Sequence, residues 1–126
     1  MNPIELMFNP ESVAVVGASN DLSKWGAGIF ARVLNSPSVR RLYPINKHQA
    51  IVQGVKAYPS VLMLPEKVDL VVIATPAPTV ISLLEECGKS GIKGVIIISA
   101  GFAEMGEEGK RAMEQIAKIK RKYDFE

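Results

Sequence analysis

Val13-Ala-Val-Val-Gly17-Ala-Ser19-Asn-Asp-Leu-Ser-Lys24-Trp-Gly26-Ala-Gly28-Ile-Phe30 reads as a buried strand, a glycine turn and the start of a helix. Val13–Val16 is apolar at every position, which suits a strand covered on both faces. Gly17 permits a sharp turn that brings backbone N–H groups against an anion, and the N-terminus of the following helix adds partial positive charge. Nucleotide-binding sheets open in this way. The glycines alone do not say which nucleotide. The dinucleotide fingerprint G-x-G-x-x-G is broken at Ser19, which stands where the second glycine belongs, and the loop runs on through Asn20, Asp21, Ser23 and Lys24 to Gly26.

Outward from this stretch the chain alternates strand and helix. Ile29, Phe30, Val33 and Leu34 recur at helical spacing, so the first helix is expected over Trp25 to Asn35. Arg41-Leu-Tyr-Pro-Ile45 is a second strand, and Pro44, which lacks a ladder donor, places it at an edge or an outer end. Gln53 to Tyr58 is a short extended piece, and Pro59 to Leu64 one helical turn. Val68-Asp-Leu-Val-Val-Ile-Ala74 is the strongest strand pattern, ended by Thr75-Pro-Ala-Pro78. Val80, Leu83, Leu84 and Cys87 then form one stripe of a helix closed by Gly91, with Cys87 in the core. Val95 to Ser99 is a fourth strand, and a last helix runs from Glu107 to about Tyr123, acidic at its start and basic at its end. Met7, Met63, Met105 and Met113 read as gap fillers. The expected fold is α/β: a Rossmann-like, doubly wound, mostly parallel sheet in a single domain. Ligands bind such sheets beyond the carboxyl ends of the strands. The stretches that matter are therefore Gly17-Ala-Ser19, Ile45-Asn46-Lys47, Thr75 to Pro78 and Ser99-Ala-Gly101.

The second of these ends is the most informative. An NAD site places Asp or Glu about 20 residues beyond the glycines to accept from the ribose hydroxyls. No acid occurs from Leu22 through Pro65, a stretch that carries Lys24, Arg32, Arg40, Arg41, Lys47, His48 and Lys56. Asn46 is placed to hydrogen-bond a ribose and Lys47 to pair with a phosphate on it, with Arg40 or Arg41 as further anion contacts. A nucleotide with an extra ribose phosphate fits, which leaves NADP and coenzyme A. Pro76 and Pro78 bracket Ala77 and offer a rigid apolar ledge for an adenine or a pantetheine arm. Ser99 to Gly101 offers small residues over which a slender arm passes.

At 126 residues the chain is one domain by length. A net charge of +2 implies no polyanionic partner, and the basic end of the last helix reads as a solvated face rather than a nucleic-acid surface. The single cysteine forms no internal disulfide, and the N-terminus lacks the basic and apolar regions of a signal peptide. The apolar runs are too short to cross a bilayer. A cytoplasmic setting is expected.

Phe8-Asn-Pro-Glu-Ser-Val-Ala-Val-Val-Gly-Ala-Ser19, Lys24-Trp-Gly26, Tyr43-Pro-Ile-Asn46, Gly54-Val-Lys-Ala-Tyr-Pro-Ser-Val61, Val68 to Pro78 and Ile98-Ser-Ala-Gly-Phe-Ala-Glu104, in this order and spacing, resemble the N-terminal CoA-binding domain of the NDP-forming acyl-CoA synthetases. These include ADP-forming acetyl-CoA synthetase and, more distantly, the alpha subunit of succinyl-CoA synthetase. The resemblance implies coenzyme A, free or as acyl-CoA, bound across the strand ends. The positions matching the family's contacts are Gly17, Ser19, Lys24, Trp25 and Gly26 on the first turn, Lys47 after the second strand, Thr75, Pro76 and Ala77 after the third, and Ile98, Ser99 and Ala100 at the fourth; Asn20, Asn46 and Gly101, at the same strand ends, complete the expected CoA-binding residues. It implies that phosphoryl transfer belongs to a second α/β domain carrying a histidine and to an ATP-grasp domain or subunit, with a homo-oligomer as a further expectation. His48 lies in the wrong segment for that histidine. The chain ends about where such proteins begin a fifth strand, so it is expected to be the N-terminal part of an acid–thiol ligase and not catalytic alone. An NADP-dependent reductase module and a stand-alone CoA-sensing domain are the alternatives.

Overall fold

The computed structural model describes residues 9–98 and 106–123. Strand β1 (Ser12–Val16) leads through the glycine turn into helix α1 (Trp25–Leu34). Strand β2 (Arg41–Ile45) is followed by two short strands, β3 (Ile51–Val52) and β4 (Val55–Lys56), and a 3₁₀ turn at Val61–Met63. Strand β5 (Leu70–Ile73), a second 3₁₀ turn at Ala77–Thr79, helix α2 (Val80–Lys89), strand β6 (Val95–Ile97) and helix α3 (Glu107–Tyr123) follow. One sheet has the order β2-β1-β5-β6, with all three pairings parallel.

Side chains alternate across a strand, so each face of the sheet needs its own cover. Val13 and Val15 of β1, with Leu70 and Val72 of β5, pack with Phe30, Ile29 and Val33 of α1. Ala14 and Val16, with Val71 and Ile73, pack on the opposite face with Val80, Leu84 and Cys87 of α2 and Ile116 and Ile119 of α3. The continuous apolar runs of β1 and β5 are thus explained by helices on both sides, the doubly wound arrangement expected. Each large apolar side chain buried this way contributes roughly 1.5–3 kcal/mol before entropy is counted.

β2 is the edge strand that Pro44 called for. Beyond it the chain makes one bridge, Tyr58 donating from its N–H to the Pro44 carbonyl (3.0 Å) and accepting from Asn46 N–H (3.0 Å). The missing N–H of Pro44 therefore leaves no gap in the ladder. At the other end of the sheet, β5 starts at Leu70 rather than Val68. Asp69 is turned aside, its carboxylate accepting from the N–H groups of Glu11 (3.0 Å) and Ser12 (3.4 Å) while its own N–H donates to Ser12 Oγ (2.9 Å).

The extended piece expected over Gln53 to Tyr58 is instead a hairpin. Ile51 and Val52 pair antiparallel with Lys56 and Val55 around a two-residue turn, Gln53-Gly54, and Val52 is fully buried against the α1 side of the core. The usual sequence mark of such a turn is Asn-Gly or Asp-Gly, so Gln-Gly hides it. Met63 and Met113 are 61% and 55% exposed, which corrects their reading as gap fillers, and Met7 and Met105 lie outside the described residues.

Cys87 is buried, and desolvation, followed by the nearby Glu86 charge, pushes its thiol up to about 12. The thiolate is the reactive form. The folded protein is expected to resist a chromogenic disulfide reagent at pH 8 and to release one thiol equivalent per chain in denaturant. Rapid reaction of the native chain would contradict the buried placement.

Candidate functional site

From β1 the chain crosses to β2 on one side and reaches β5 on the other, so the crossovers diverge between the carboxyl ends of β1 and β5. A crevice forms at such a switch in strand order. Here it is a cleft of about 850 Å³, within the range of small-molecule and cofactor sites. Its floor is the first loop, Gly17 to Ser19 and Lys24 to Gly26. Asn46, Lys47 and His48 rise on one side and Ala74, Thr75 and Pro76 on the other. Pro59 and Ser60, with Ser82, Leu83 and Glu86 of α2, complete it.

The two loop glycines are required by packing as well as by the turn. Gly17 has φ +98°, and a Cβ on it would stand 2.5 Å from the Ala74 carbonyl oxygen. A Cβ on Gly26 would collide with the Gly17 carbonyl. Glycine on glycine is what lets the start of α1 settle onto the turn and lets the turn touch the end of β5.

The electrostatics of the cleft suit an anion. α1 and α2 both begin at its wall, neither has an acid in its first turn, and neither Lys24 nor Thr79 caps its helix with a side chain. α3, which does not line the cleft, carries Glu107 and Glu108 in its first turn. Two helix N-termini are thus left with their partial positive charge at the cleft, beside the exposed amino groups of Lys24 and Lys47. Asp21, in the same loop, holds its carboxylate with Ser23, whose Oγ and N–H donate at 2.6 and 3.0 Å and keep its pKa below the usual carboxylate value.

Of the residues marked from sequence, Gly17, Ser19, Lys24, Trp25, Gly26, Asn46, Lys47, Thr75 and Pro76 come together around the cleft. Trp25 stands half exposed at its mouth, free to stack rather than packed. Asn20, Ala77 and Ile98 are placed elsewhere. Asn20 bonds the β3–β4 hairpin, Ala77 is buried as the first residue of the second 3₁₀ turn, and Ile98 packs on the α1-side core. Ser99, Ala100 and Gly101 lie outside the described residues.

Two roles are corrected. The Asn46 amide has no capacity left for a ribose. Its Oδ1 accepts from His48 N–H (2.8 Å) and Gln49 N–H (2.9 Å), and its Nδ2 donates to the Ala18 carbonyl (3.0 Å) and Gln49 Oε1 (3.2 Å). It shapes the loop that presents Lys47. Arg40 and Arg41 sit at the amino end of β2, about 13 Å of strand from the cleft. Arg41 pairs there with Glu66 at 2.7 Å, and Glu66 also accepts from the Tyr43 hydroxyl. Burial and that carboxylate raise the Tyr43 hydroxyl to about 12.

Sequence reading missed Ser60, Ser82, Leu83 and Glu86. Glu86 lies beyond the acid-free stretch that follows the glycines and arrives from the second half of α2. Ser60 Oγ donates to Glu86 Oε1 at 2.5 Å and accepts from Leu62 N–H at 3.1 Å, which fixes one carboxylate oxygen and leaves the other without a bond among the described residues. Among the described residues no group of acids, histidines or cysteines is arranged to hold a metal, and no helix is long and apolar enough to cross a membrane.

A family model described as a CoA binding domain matches residues 11–122, from the start of the sheet almost to the end of α3. The chain belongs to that family. The CoA-binding domain is 47% identical over 120 residues to the alpha subunit of an ADP-forming acetate–CoA ligase (II) of Pyrococcus furiosus, covering 95% of this chain and 26% of that protein. It is 42% identical over 120 residues to an ADP-forming 4-hydroxybutyrate–CoA ligase of Nitrosopumilus maritimus, covering 95% of this chain and 17% of that one. The dinucleotide-forming acetyl-coenzyme A synthetase 1 of Ca. Korarchaeum cryptofilum, solved with phosphate and ADP, superposes with a TM-score of 0.89 at 38% identity, over 99% of this chain and 26% of the other. The chain thus spans about a quarter or less of the length of each of these three relatives. Coenzyme A is the molecule this domain binds, and the reductase alternative gains nothing from these likenesses.

Proposed function

We propose that coenzyme A lies along the cleft with its pyrophosphate against the glycine turn and the start of α1. Lys47 meets its ribose phosphate. The adenine sits between Pro59 and Leu83, with the free oxygen of Glu86 accepting from its amino group. The pantetheine arm passes Thr75 and Pro76 toward the carboxyl end of β6, with Ile98, Ser99, Ala100 and Gly101 as the residues proposed to meet it. The observation that carries this reading is Lys47 on the cleft rim at the end of β2, where an NAD site requires an acid.

In the whole protein the domain serves an NDP-forming acyl-CoA synthetase in the cytoplasm, converting acyl-CoA, ADP and phosphate to acid, CoA and ATP. It binds and orients the thioester, and no side chain of it acts on the reacting atoms. Its partners are the further ligase domains, including an ATP-grasp domain or subunit, and a second copy in a homo-oligomer. Relatives acting on acetate and on 4-hydroxybutyrate share this one domain, which supports acyl selection outside it.

Calorimetry on the 126-residue chain with CoA, dephospho-CoA, NADPH and NAD tests the assignment. CoA is expected to bind at least tenfold more tightly than dephospho-CoA, because a hydrogen bond to a charged group contributes about 1.5–3 kcal/mol. Uptake of NADPH or NAD with CoA ignored would reverse it.

A further inference from the structure

Gln53 is the one non-glycine residue among the described ones with a left-handed backbone, φ +48°, followed by Gly54 at φ +83°. A two-residue hairpin turn with both central residues at positive φ is favourable with Asn or Gly at the first position, and a long side chain there is disfavoured. Nothing in the hairpin itself calls for glutamine. Its side chain instead leaves the hairpin: Nε2 donates to the Ser19 carbonyl (3.1 Å) and the Ala27 carbonyl (3.0 Å), one on the glycine turn and one in the first turn of α1.

The surroundings complete a latch. Gln53 N–H donates to Asn20 Oδ1 (2.6 Å), and Asn20 Nδ2 donates to the Ile51 carbonyl (2.7 Å). Asn20 N–H is held by Gln49 Oε1 (3.1 Å). The loop from Ala18 to Asn20 is therefore held from the hairpin side by the amides of Asn46, Gln49 and Gln53. These bonds fix the planes of the peptides whose neighbours line the cleft.

We infer that Gln53 is a positioning residue for the anion-binding turn: an unfavourable turn conformation is kept because this side chain ties Ser19 to the start of α1 and so preorganises the loop. The inference rests on the CoA reading above. Preorganisation raises affinity by removing the ordering cost at the moment of binding. The variants Gln53→Asn, which suits the turn but is one methylene shorter, and Gln53→Gly, which removes the side chain, separate turn from latch.

The measurements are melting temperature, CoA affinity per folded molecule by calorimetry, and hydrogen exchange at the Ser19 and Asn20 amides without ligand. Both variants are expected to melt within a few degrees of the parent, to bind CoA about tenfold more weakly, and to exchange those amides at least several-fold faster. Unchanged exchange overturns the latch whether or not CoA binds. Faster exchange with CoA affinity within twofold of the parent overturns its role in binding. Failure of the parent chain itself to bind CoA falsifies the CoA reading, and the exchange result then decides the latch alone.

Discussion

Gly17→Ala is expected to destabilise the domain by about 3 kcal/mol and lower its melting temperature by roughly 12 °C. Two effects add. A left-handed backbone costs a residue with a Cβ about 1–2 kcal/mol, and Gly17 holds φ +98°. The new methyl would also stand 2.5 Å from the Ala74 carbonyl oxygen and 2.9 Å from its carbon. Both are backbone atoms of the buried end of β5, which cannot rotate away as a side-chain tip could, and overpacking of this kind costs about 1–3 kcal/mol. At this chain length each kcal/mol moves the melting point by about 4 °C. Gly28 supplies the control. It lies within α1 on an exposed position with nothing within 4 Å of a built Cβ, so Gly28→Ala is expected to raise stability by about 0.5–1 kcal/mol through helix propensity. Thermal unfolding followed by circular dichroism reads both. A Gly17→Ala protein melting within 2 °C of the parent would show that the turn relaxes around a side chain, and the glycine-on-glycine account of the loop would fail with it.

That contrast marks where the sequence is legible. The alternation of apolar runs with helical stripes reports burial on both faces, and it placed β1, β2, α1, α2 and α3 to within a residue or two, because the core itself dictates those patterns. The glycine turn was legible for the same reason, since Gly17 and Gly26 are demanded by backbone geometry. Residues whose work is to bond other loops leave no periodic trace. Asn46 looked like a ligand contact because a polar residue at a strand end commonly is one, yet its four bonds hold the Lys47 loop. Asn20 looked like part of a phosphate loop and is instead a strut to a hairpin that Gln-Gly concealed. Glu86 and Ser60 meet only when α2 folds across the sheet, a contact between residues 26 apart in sequence. Arg41 drew notice as a cation in an acid-free stretch, whereas its partner, Glu66, begins one residue past that stretch.

Lys47→Ala is expected to weaken CoA binding about tenfold to a hundredfold while leaving dephospho-CoA within a factor of two or three. The magnitude follows from a charge-assisted contact to phosphate, about 1.5–3 kcal/mol, with the lower end favoured because Lys47 is exposed and partly screened. The selectivity follows from position. Lys47 lies one residue past Asn46 at the end of β2, across the cleft from Thr75 and Pro76, whereas the pyrophosphate is proposed to lie on the Gly17 to Ser19 turn. In the proposed pose, removing it takes away the partner of one phosphate only. Raising the salt concentration from 50 to 500 mM is expected to narrow the gap between the two ligands in the parent and to change it little in the variant, since the screened interaction is already gone. Lys24→Ala serves as the counterpart: its amino group stands beside the start of α1, so its loss is expected to weaken both ligands alike. Equal weakening of CoA and dephospho-CoA by Lys47→Ala would move the ribose phosphate elsewhere on the rim, with Lys24 or His48 as the groups left to receive it.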